Sequence, residues 1–580
     1  MEGQVGATIL APSANWLILE ADPKLTQRLE SELMLHPVVA RALVNRGISN
    51  LRDAEIFLSP SLDHLHDPKL MPDYEPAVKA ILGAKERGER IFVHGDYDVD
   101  GVTSTALFTR FLRRIGCDVV PHVPHRMKEG YGIHPIAIEA AREMNAKLFL
   151  TCDCGVGAHE QVAAAKALGM AVVVTDHHEV PTVLPEADAV INLHRTDSSY
   201  PFTDLAGVGV AFKLCEGISE ELGLPKAQFY RAFLDLAALG TVADVMPLVG
   251  ENRILTKFGL QALAETKKVG IQALKTLSSV GAPVSTMDIG FKLAPRLNAA
   301  GRIDDAAMSL DLLLEDDLSR AAEIADQLDA INSERKATQG AQLEQAIQAI
   351  KDEGFDKDFV IVVAREEWHG GIVGLVANKV VEHFKRPAFV LSIDPDAAIA
   401  KGSARSIPAF NLFAAIENHR EILIGGGGHK AAAGISVSLS NLEVFRQRVN
   451  DYARTILTEA DFVPTLIADA ELLGTEADLE AARALTTLEP FGQENPEPLF
   501  VIRNVELASI EPTKNPGHLR IQARSSDGSI RRLMGFGFGE RLAGTKPGTQ
   551  ADVLVRIEDN RYQGASTLNW ILQDLREVQN

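Results

Sequence analysis

Three short apolar runs in this chain each end on acidic residues. "RIFV" (90–93) leads into His94, Asp96, Asp98 and Asp100. "KLFL" (147–150) leads into Asp153, and "AVVV" (171–174) into Asp176, His177 and His178. Between the runs lie helical patterns, "STALFTRFLRRIG" and "HEQVAAAKALG". Strand-like runs alternating with helices imply a parallel sheet with helices on its faces. Such a sheet sets the carboxyl ends of its strands side by side, and ligand sites lie beyond those ends. Residues two apart on an extended segment point the same way, so Asp96, Asp98 and Asp100 converge. Clustered carboxylates repel, and some hold their protons rather than ionise together. A divalent cation removes the conflict, and mixed His and carboxylate ligands suit Mn²⁺, Mg²⁺ or Fe²⁺. One Asp after a strand is commonly a turn residue or a cap; three in succession argue for a metal site. Cys152 and Cys154 flank Asp153 but point away from it on a strand. With no second Cys pair following, a thiolate zinc site is not expected.

The remaining chain divides by rhythm. Residues 1–85 read as an N-terminal helical region, with "LTQRLESELMLHPVVARALVNRG" ending on Gly47. The sheet and its helices fill 86–305. A long Ala-, Gln- and Glu-rich helical pattern, interrupted near 315–317, connects over 306–352. A second α/β unit occupies 353–460, with "DFVIVVA" and "PAFVLSI" as strands. From 461 to 580 short strands with turn signals predict a small barrel or sandwich. No apolar run approaches the ~20 residues that span a bilayer. The first residues lack the basic start of a secretory leader, and four cysteines in 580 residues make no disulfide framework. Cytoplasm is therefore the expected compartment. The net charge of −21 argues against a generally basic nucleic-acid surface. From Leu499 onward, however, eleven Lys and Arg stand against nine Asp and Glu, so any basic groove is local.

"DYDVDG" (96–101), "DCG" (153–155), "DHH" (176–178) and "GTVADVMPL" (240–248) resemble the four motifs of the DHH phosphoesterases. "APRLNAAGR" (294–302), "WHGGIVGLVA" (368–377), "GSARS" (402–406), "GGGGHKAAAG" (425–434) and "LEPFGQENPEP" (488–498) extend the resemblance to the RecJ-type exonucleases of that superfamily. The resemblance covers the chain from about residue 36 onward. It implies a parallel-sheet DHH domain joined by a long helix to a DHHA1-type α/β domain, with an OB-fold β-barrel behind them. It also implies two Mn²⁺ or Mg²⁺ ions. His94, Asp98 and Asp153 would hold one; Asp100, Asp153, His177 and Asp244 the other. Asp96 and Asp176 would orient these ligands, and His178 would face the phosphate.

The implied reaction is 5′→3′ hydrolysis of single-stranded DNA to 5′-mononucleotides by in-line attack of water, serving recombinational and mismatch repair. Arg296, Asn298 and Arg302 are expected near the strand beside the metals. The end of the substrate is expected at His369, Ser403, Arg405, Ser406, Gly427, Gly428 and His429. Consecutive glycine amides approach phosphate closely, and arginine grips it in a fork. Arg520, Arg524, Arg531 and Arg532 are candidate DNA contacts of the barrel. Aromatics there are sparse: Phe500, Phe536, Phe538, Tyr562 and Trp570. Single-stranded-DNA-binding protein and a repair helicase are the expected partners of a monomer. Two alternatives stand beside this reading. One is a DHH/DHHA1 phosphodiesterase for short oligonucleotides or cyclic dinucleotides, which needs neither the N-terminal region nor the barrel. The other is a non-catalytic scaffold of the same fold, which would be expected to lose metal ligands.

Overall fold

The strand-and-helix alternation forms as the periodicity requires. The computed structural model describes residues 13–126, 128–562 and 565–578, with the side chains of 561–565 also outside that description. It separates into two compact units: Met1–Pro60 with Glu459–Phe491 and Asn495–Asn580, and Ser61–Thr458 with Gly492–Glu494.

In the larger unit, five parallel strands lie in the order Asp118–His122, Arg90–His94, Leu148–Thr151, Ala171–Thr175, Ala189–Ile191. Leu148–Thr151 and most of its two neighbours are fully buried, as a sheet covered on both faces demands. Helices Val99–Arg114, Gly207–Glu221 and Lys226–Ala243 bury Phe108, Phe212 and Leu239 in one core with Ile91 and Leu150. The helical pattern after 306 is two helices, Ala307–Leu314 and Leu318–Asp352. Asp317 caps the second by accepting from the amide of Arg320 at 2.8 Å. A second sheet follows in the order Gly425–Gly428, Ala432–Ser438, Ile399–Arg405, Ala388–Asp394, Ile361–Arg365; only the last pair is parallel.

In the smaller unit, Phe500–Pro512, His518–Arg524, Ile530–Phe536, Ala565–Glu577 and Thr549–Tyr562 pair in a ring. Phe500–Pro512 closes it against Thr549–Tyr562, the five-stranded barrel of an OB fold. Three short helices, Pro23–Leu33, Pro37–Asn45 and Leu51–Leu58, pack in this unit. Their Leu29, Val38, Leu43 and Ala54 share a core with Phe500, Ile502, Leu533 and Trp570. Arg46 pins the arrangement: it donates to Asp469 Oδ1 at 2.8 Å, Asn495 Oδ1 at 2.9 Å and the Pro496 carbonyl at 2.6 Å. Among the described residues no helix is long and apolar enough to cross a membrane.

Candidate metal centre

Strand ends and helix starts meet at one place. Asp98 caps Val99–Arg114, accepting from the Gly101 amide at 3.1 Å. Asp100, in the first turn of that helix, accepts from the amides of Gly207 (2.6 Å) and Val208 (2.8 Å). Those amides open the helix Gly207–Glu221, where a carboxylate is favoured. Asp153 follows its strand in a left-handed conformation (φ 63°), a cost accepted where surroundings impose it. Gly207 is what permits this, because a Cβ there would lie 2.7 Å from Asp153 Cβ. Asp244 ends Lys226–Ala243. The turn after it is held where the Leu248 amide donates to the Gln493 carbonyl at 2.8 Å. His177 Nε2 lies 3.0 Å from Asp153 Oδ1 and 3.7 Å from both Asp100 Oδ2 and Asp244 Oδ2.

Among the described residues, three groups each hold their ligand atoms within 4.8 Å of one another: Asp153, His177 and His178; Asp100, His177 and Asp244; Asp96, Asp98 and Asp153. Burial and then Asp98 push Asp100 up to about 7. Burial and then Asp100 push Asp244 up to about 9, although 27% of its side chain still meets solvent. Asp96 and Asp153 stand well above the carboxylate range for the same reasons, burial first and neighbouring aspartates second. Burial and His178 lower His177 to about 4, leaving its imidazole neutral. Asp153 Oδ1 and Asp96 Oδ1 are buried without a hydrogen bond. Unsatisfied acceptors, acids that resist ionising and a neutral imidazole together fit a divalent cation, which would satisfy all of them.

Asp176 has another task. It accepts from the amides of Val156 (2.9 Å), His177 (2.8 Å) and His178 (3.1 Å), and pairs with His178 Nδ1 at 2.7 Å. Burial would raise its pKa, but the His178 bond and these amides outweigh burial and hold it low. His94, also expected as a ligand, faces other protein groups. It is fully buried, with Nδ1 3.0 Å from His122 Nδ1 and Nε2 3.3 Å from the Gly132 carbonyl. None of the three groups contains it; Asp96, expected only to orient ligands, stands in one.

The basic side of the site includes a residue that the sequence reading passed over. Burial and the guanidiniums of Arg126 and Arg335 lower Arg302 to about 10; Asp98 opposes them and Arg405 adds to them. Arg126 lies 4.9 Å over the Tyr97 ring, on a turn with no motif to mark it. Gly371 packs so closely on Arg302 that a Cβ would lie 2.1 Å from its carbonyl oxygen. A Cβ on Gly374, in the first turn of Val373–Phe384, would lie 3.2 Å from Ser403 Oγ and 3.4 Å from Arg405 Nη2. Arg302, Ser403 and Arg405 therefore gather around that helix start. His369 accepts from the Gly371 amide at 3.2 Å, and Ser406 Oγ donates to the Phe410 carbonyl at 2.8 Å.

Other expected contacts are placed differently. Arg296 pairs with Asp329 at 2.8 Å. Asn298 Oδ1 accepts from the Val99 amide at 3.2 Å, between Asp98 and Asp100. The glycine run Gly425–Gly428 is an edge strand, with Gly427 opposite Gly434 and Gly428 opposite Ala433. His429, at the hairpin tip, lies 3.6 Å from Glu179, next to the His177–His178 pair.

In the barrel, Arg520, Gln522 and Arg524 alternate outward and face Met534, Arg532 and Ile530. Exposed Phe536 stands on that face with the His518 ring 5.5 Å away, whereas Arg531 sits opposite Ala523 on the inner side. Arg524 pairs with Glu506 at 3.2 Å. Phe500, Phe538 and Trp570 are core, and the side chain of Tyr562 lies outside the described residues.

Gly207→Ala tests the close approach. It is expected to cost about 1–3 kcal/mol by overpacking and to weaken Mn²⁺ binding by displacing Asp153. Thermal melting and calorimetric titration read the two effects; unchanged Mn²⁺ affinity would detach Asp153 from the site.

Three family profiles match the chain: "DHH family, N-terminal domain" over 90–241, "DHHA1 domain" over 356–455 and "RecJ OB domain" over 468–574. It is 36% identical to the single-stranded-DNA-specific exonuclease RecJ of Bacillus subtilis, over 98% of this chain and 73% of that one. With RecJ of Salmonella typhimurium the identity is 35%, over 93% of this chain and 96% of its relative. The crystal structure of Thermus thermophilus RecJ in complex with Mn²⁺ superposes with a TM-score of 0.83 at 30% identity, covering 98% of this chain and 80% of that one. The Mg²⁺ complex from the same organism gives 0.78 at 29% identity, covering 98% and 79%.

Proposed function

Because the chain belongs to the RecJ family of single-stranded-DNA-specific exonucleases, we propose that it hydrolyses single-stranded DNA from the 5′ end, releasing 5′-mononucleotides. Asp98, Asp100, Asp153, His177 and Asp244 hold two divalent ions, Mn²⁺ or Mg²⁺, with Asp153 shared. When bound, the ions neutralise phosphate charge and acidify water. The chain's own residues do the rest. Asn298 and Gly207 keep Asp98, Asp100 and Asp153 in place, and Asp176 holds His178 beside Asp153 to meet a phosphate oxygen. Arg126, Arg302 and Arg405, with Ser403, receive the terminal 5′ phosphate.

The observation that carries this reading is a group of arginines crowding one another within reach of an acidic cluster. Arg302 feels Arg126, Arg335 and Arg405 together with Asp98. A phosphate chain relieves both sides: its oxygens meet guanidiniums at one end and cations at the other. Residues 86–305 are then the catalytic part, 353–460 the end-binding part and 461–580 a grip on the passing strand. In that grip, Arg520, Arg524 and Arg532 flank Phe536 as a stacking surface. The same reading sets the enzyme in the cytoplasm, in recombinational and mismatch repair, as a monomer. Single-stranded-DNA-binding protein and a repair helicase would supply its strands. Family membership is what supports that setting.

The test is digestion by the full chain of end-labelled long single strands, duplexes and dinucleotides, with Mn²⁺, Mg²⁺ or chelator. Loss of single strands alone, only with metal, is the expected result. Digestion of dinucleotides but not long strands would make the protein a short-substrate phosphodiesterase.

A further inference from the structure

His94 ends the strand Arg90–His94, beside the central strand of the acid-bearing sheet, so its place suggests a cation ligand. Its neighbours give it different work. The Gly132 carbonyl can only accept, so the proton of His94 sits on Nε2, 3.3 Å away. Nδ1 then accepts from His122 Nδ1–H at 3.0 Å. The two rings lie nearly parallel, with centroids 5.2 Å apart and planes at 19°, because the residues are direct partners on adjacent parallel strands. Beyond His122 Nε2, 3.9 Å away, lies Glu129 Oε2, a buried oxygen with no hydrogen bond. Glu129 closes its own turn by accepting from the His125 amide at 2.8 Å. The relay His122–His94–Gly132 thus ties one surface segment to the sheet at Gly132.

That segment carries Arg126, beside Tyr97 and Arg302, and Tyr131, whose hydroxyl lies 3.1 Å from His178 Nδ1. The Tyr131 ring stands edge-on to His178, with centroids 5.5 Å apart. Gly130 and Gly132, on either side of Tyr131, have φ of 82° and 84°, so the local backbone does not by itself fix where Tyr131 points. The bond to Gly132 does.

We propose that His94 is a positioning residue: it sets the segment bearing Arg126 and Tyr131 against the acidic cluster and takes no part in holding a cation. Both ring nitrogens are already committed to protein partners, and a ligand needs one free. The proposal rests on the nuclease reading for what Arg126 and Tyr131 do, but not for what His94 touches.

His94→Phe keeps a ring and removes both hydrogen bonds, whereas His94→Gln keeps a donor for the Gly132 carbonyl. In the full chain, His94→Phe is expected to raise KM for a single-stranded oligonucleotide about tenfold with little change in kcat, as misplacement of binding groups does. Amides of 128–132 should exchange faster, and Mn²⁺ affinity measured by calorimetry should stay within about twofold, below the tenfold or greater loss that even an outer partner of a metal can cause. His94→Gln should recover most of the KM. A fall in Mn²⁺ affinity of tenfold or more in either variant makes His94 a ligand and overturns the proposal. Unchanged KM and exchange in His94→Phe overturn it equally. If His94→Phe does not fold, His94→Leu, which also removes the bond to the Gly132 carbonyl, is held to the same outcomes. If the wild type leaves single strands intact, the nuclease reading fails, while exchange and Mn²⁺ titration still decide the role of His94.

Discussion

Asp153→Asn is expected to abolish cleavage and, at the same time, to stabilise the metal-free protein. The lost contribution to the transition state is several kcal/mol. At 1.36 kcal/mol per factor of ten, that is about a thousandfold or more in rate. The gain in stability comes from the cluster. Asp153 is buried among Asp100, Asp98, Asp96 and Asp244, and its charged form is disfavoured first by burial and then by them. The sign follows from proton linkage. Asp100 near 7 and Asp244 near 9 bind protons more tightly when folded than at an unfolded value of about 4. Stability of the metal-free wild type from these groups is therefore full below about pH 4 and is lost as pH rises through 7 and 9. Removing one charge relieves the rest, so the melting-temperature difference, variant minus wild type in chelator, should grow from pH 5 to pH 9. A variant that still cuts, or a difference that shrinks with pH, would sink the shared-ligand assignment.

The second large effect concerns the strand end. Replacing Arg302 and Arg405 together by Ala removes two charge-assisted hydrogen bonds to a terminal phosphate, each worth ~1.5–3 kcal/mol. The expected loss in kcat/KM on 5′-phosphorylated strands is on the order of 10²–10⁴-fold. Strands ending in a 5′ hydroxyl should lose far less, and Mn²⁺ affinity should hold. Equal losses on both substrates would mean that the arginines act on the body of the strand, and no loss would remove them from the site.

Most of the candidate metal centre's clustering was readable because a parallel sheet enforces neighbourhood. Once three runs are strands, Asp98, Asp153 and His177 have nowhere else to be. Asp244 could not be read that way, since it comes at a helix end far along the chain, and only its motif marked it. Arg126 carried no pattern at all: its relevance comes from a turn folded back on the site. The bond from the Val99 amide to Asn298 was not readable either, because nothing in the sequence pairs positions so far apart. The four glycines gave no cue to their element. Glycine has little preference for strands, and 425–428 becomes one only by pairing with Ala432–Ser438. The partnership of Pro37–Asn45 with the barrel was invisible for a simpler reason. An amphipathic helix shows that it has a buried face, not what covers it.

That last partnership sets a timetable. Leu29, Val38 and Leu43 emerge early in synthesis, but Phe500, Leu533 and Trp570, which cover them, come more than 450 residues later. At roughly 5–20 residues per second, the stretch Ser61–Thr458 alone takes roughly 20–80 s to translate. Helices as short as Pro23–Leu33 and Leu51–Leu58 are marginal in water without a packed face. On the ribosome, the larger unit, almost wholly continuous in sequence, can acquire its sheet and acidic cluster while the helices Pro23–Leu33, Pro37–Asn45 and Leu51–Leu58 still wait with apolar faces uncovered. Folding therefore runs from the middle of the chain outward, and the earliest-made helices are among the last parts to find their place.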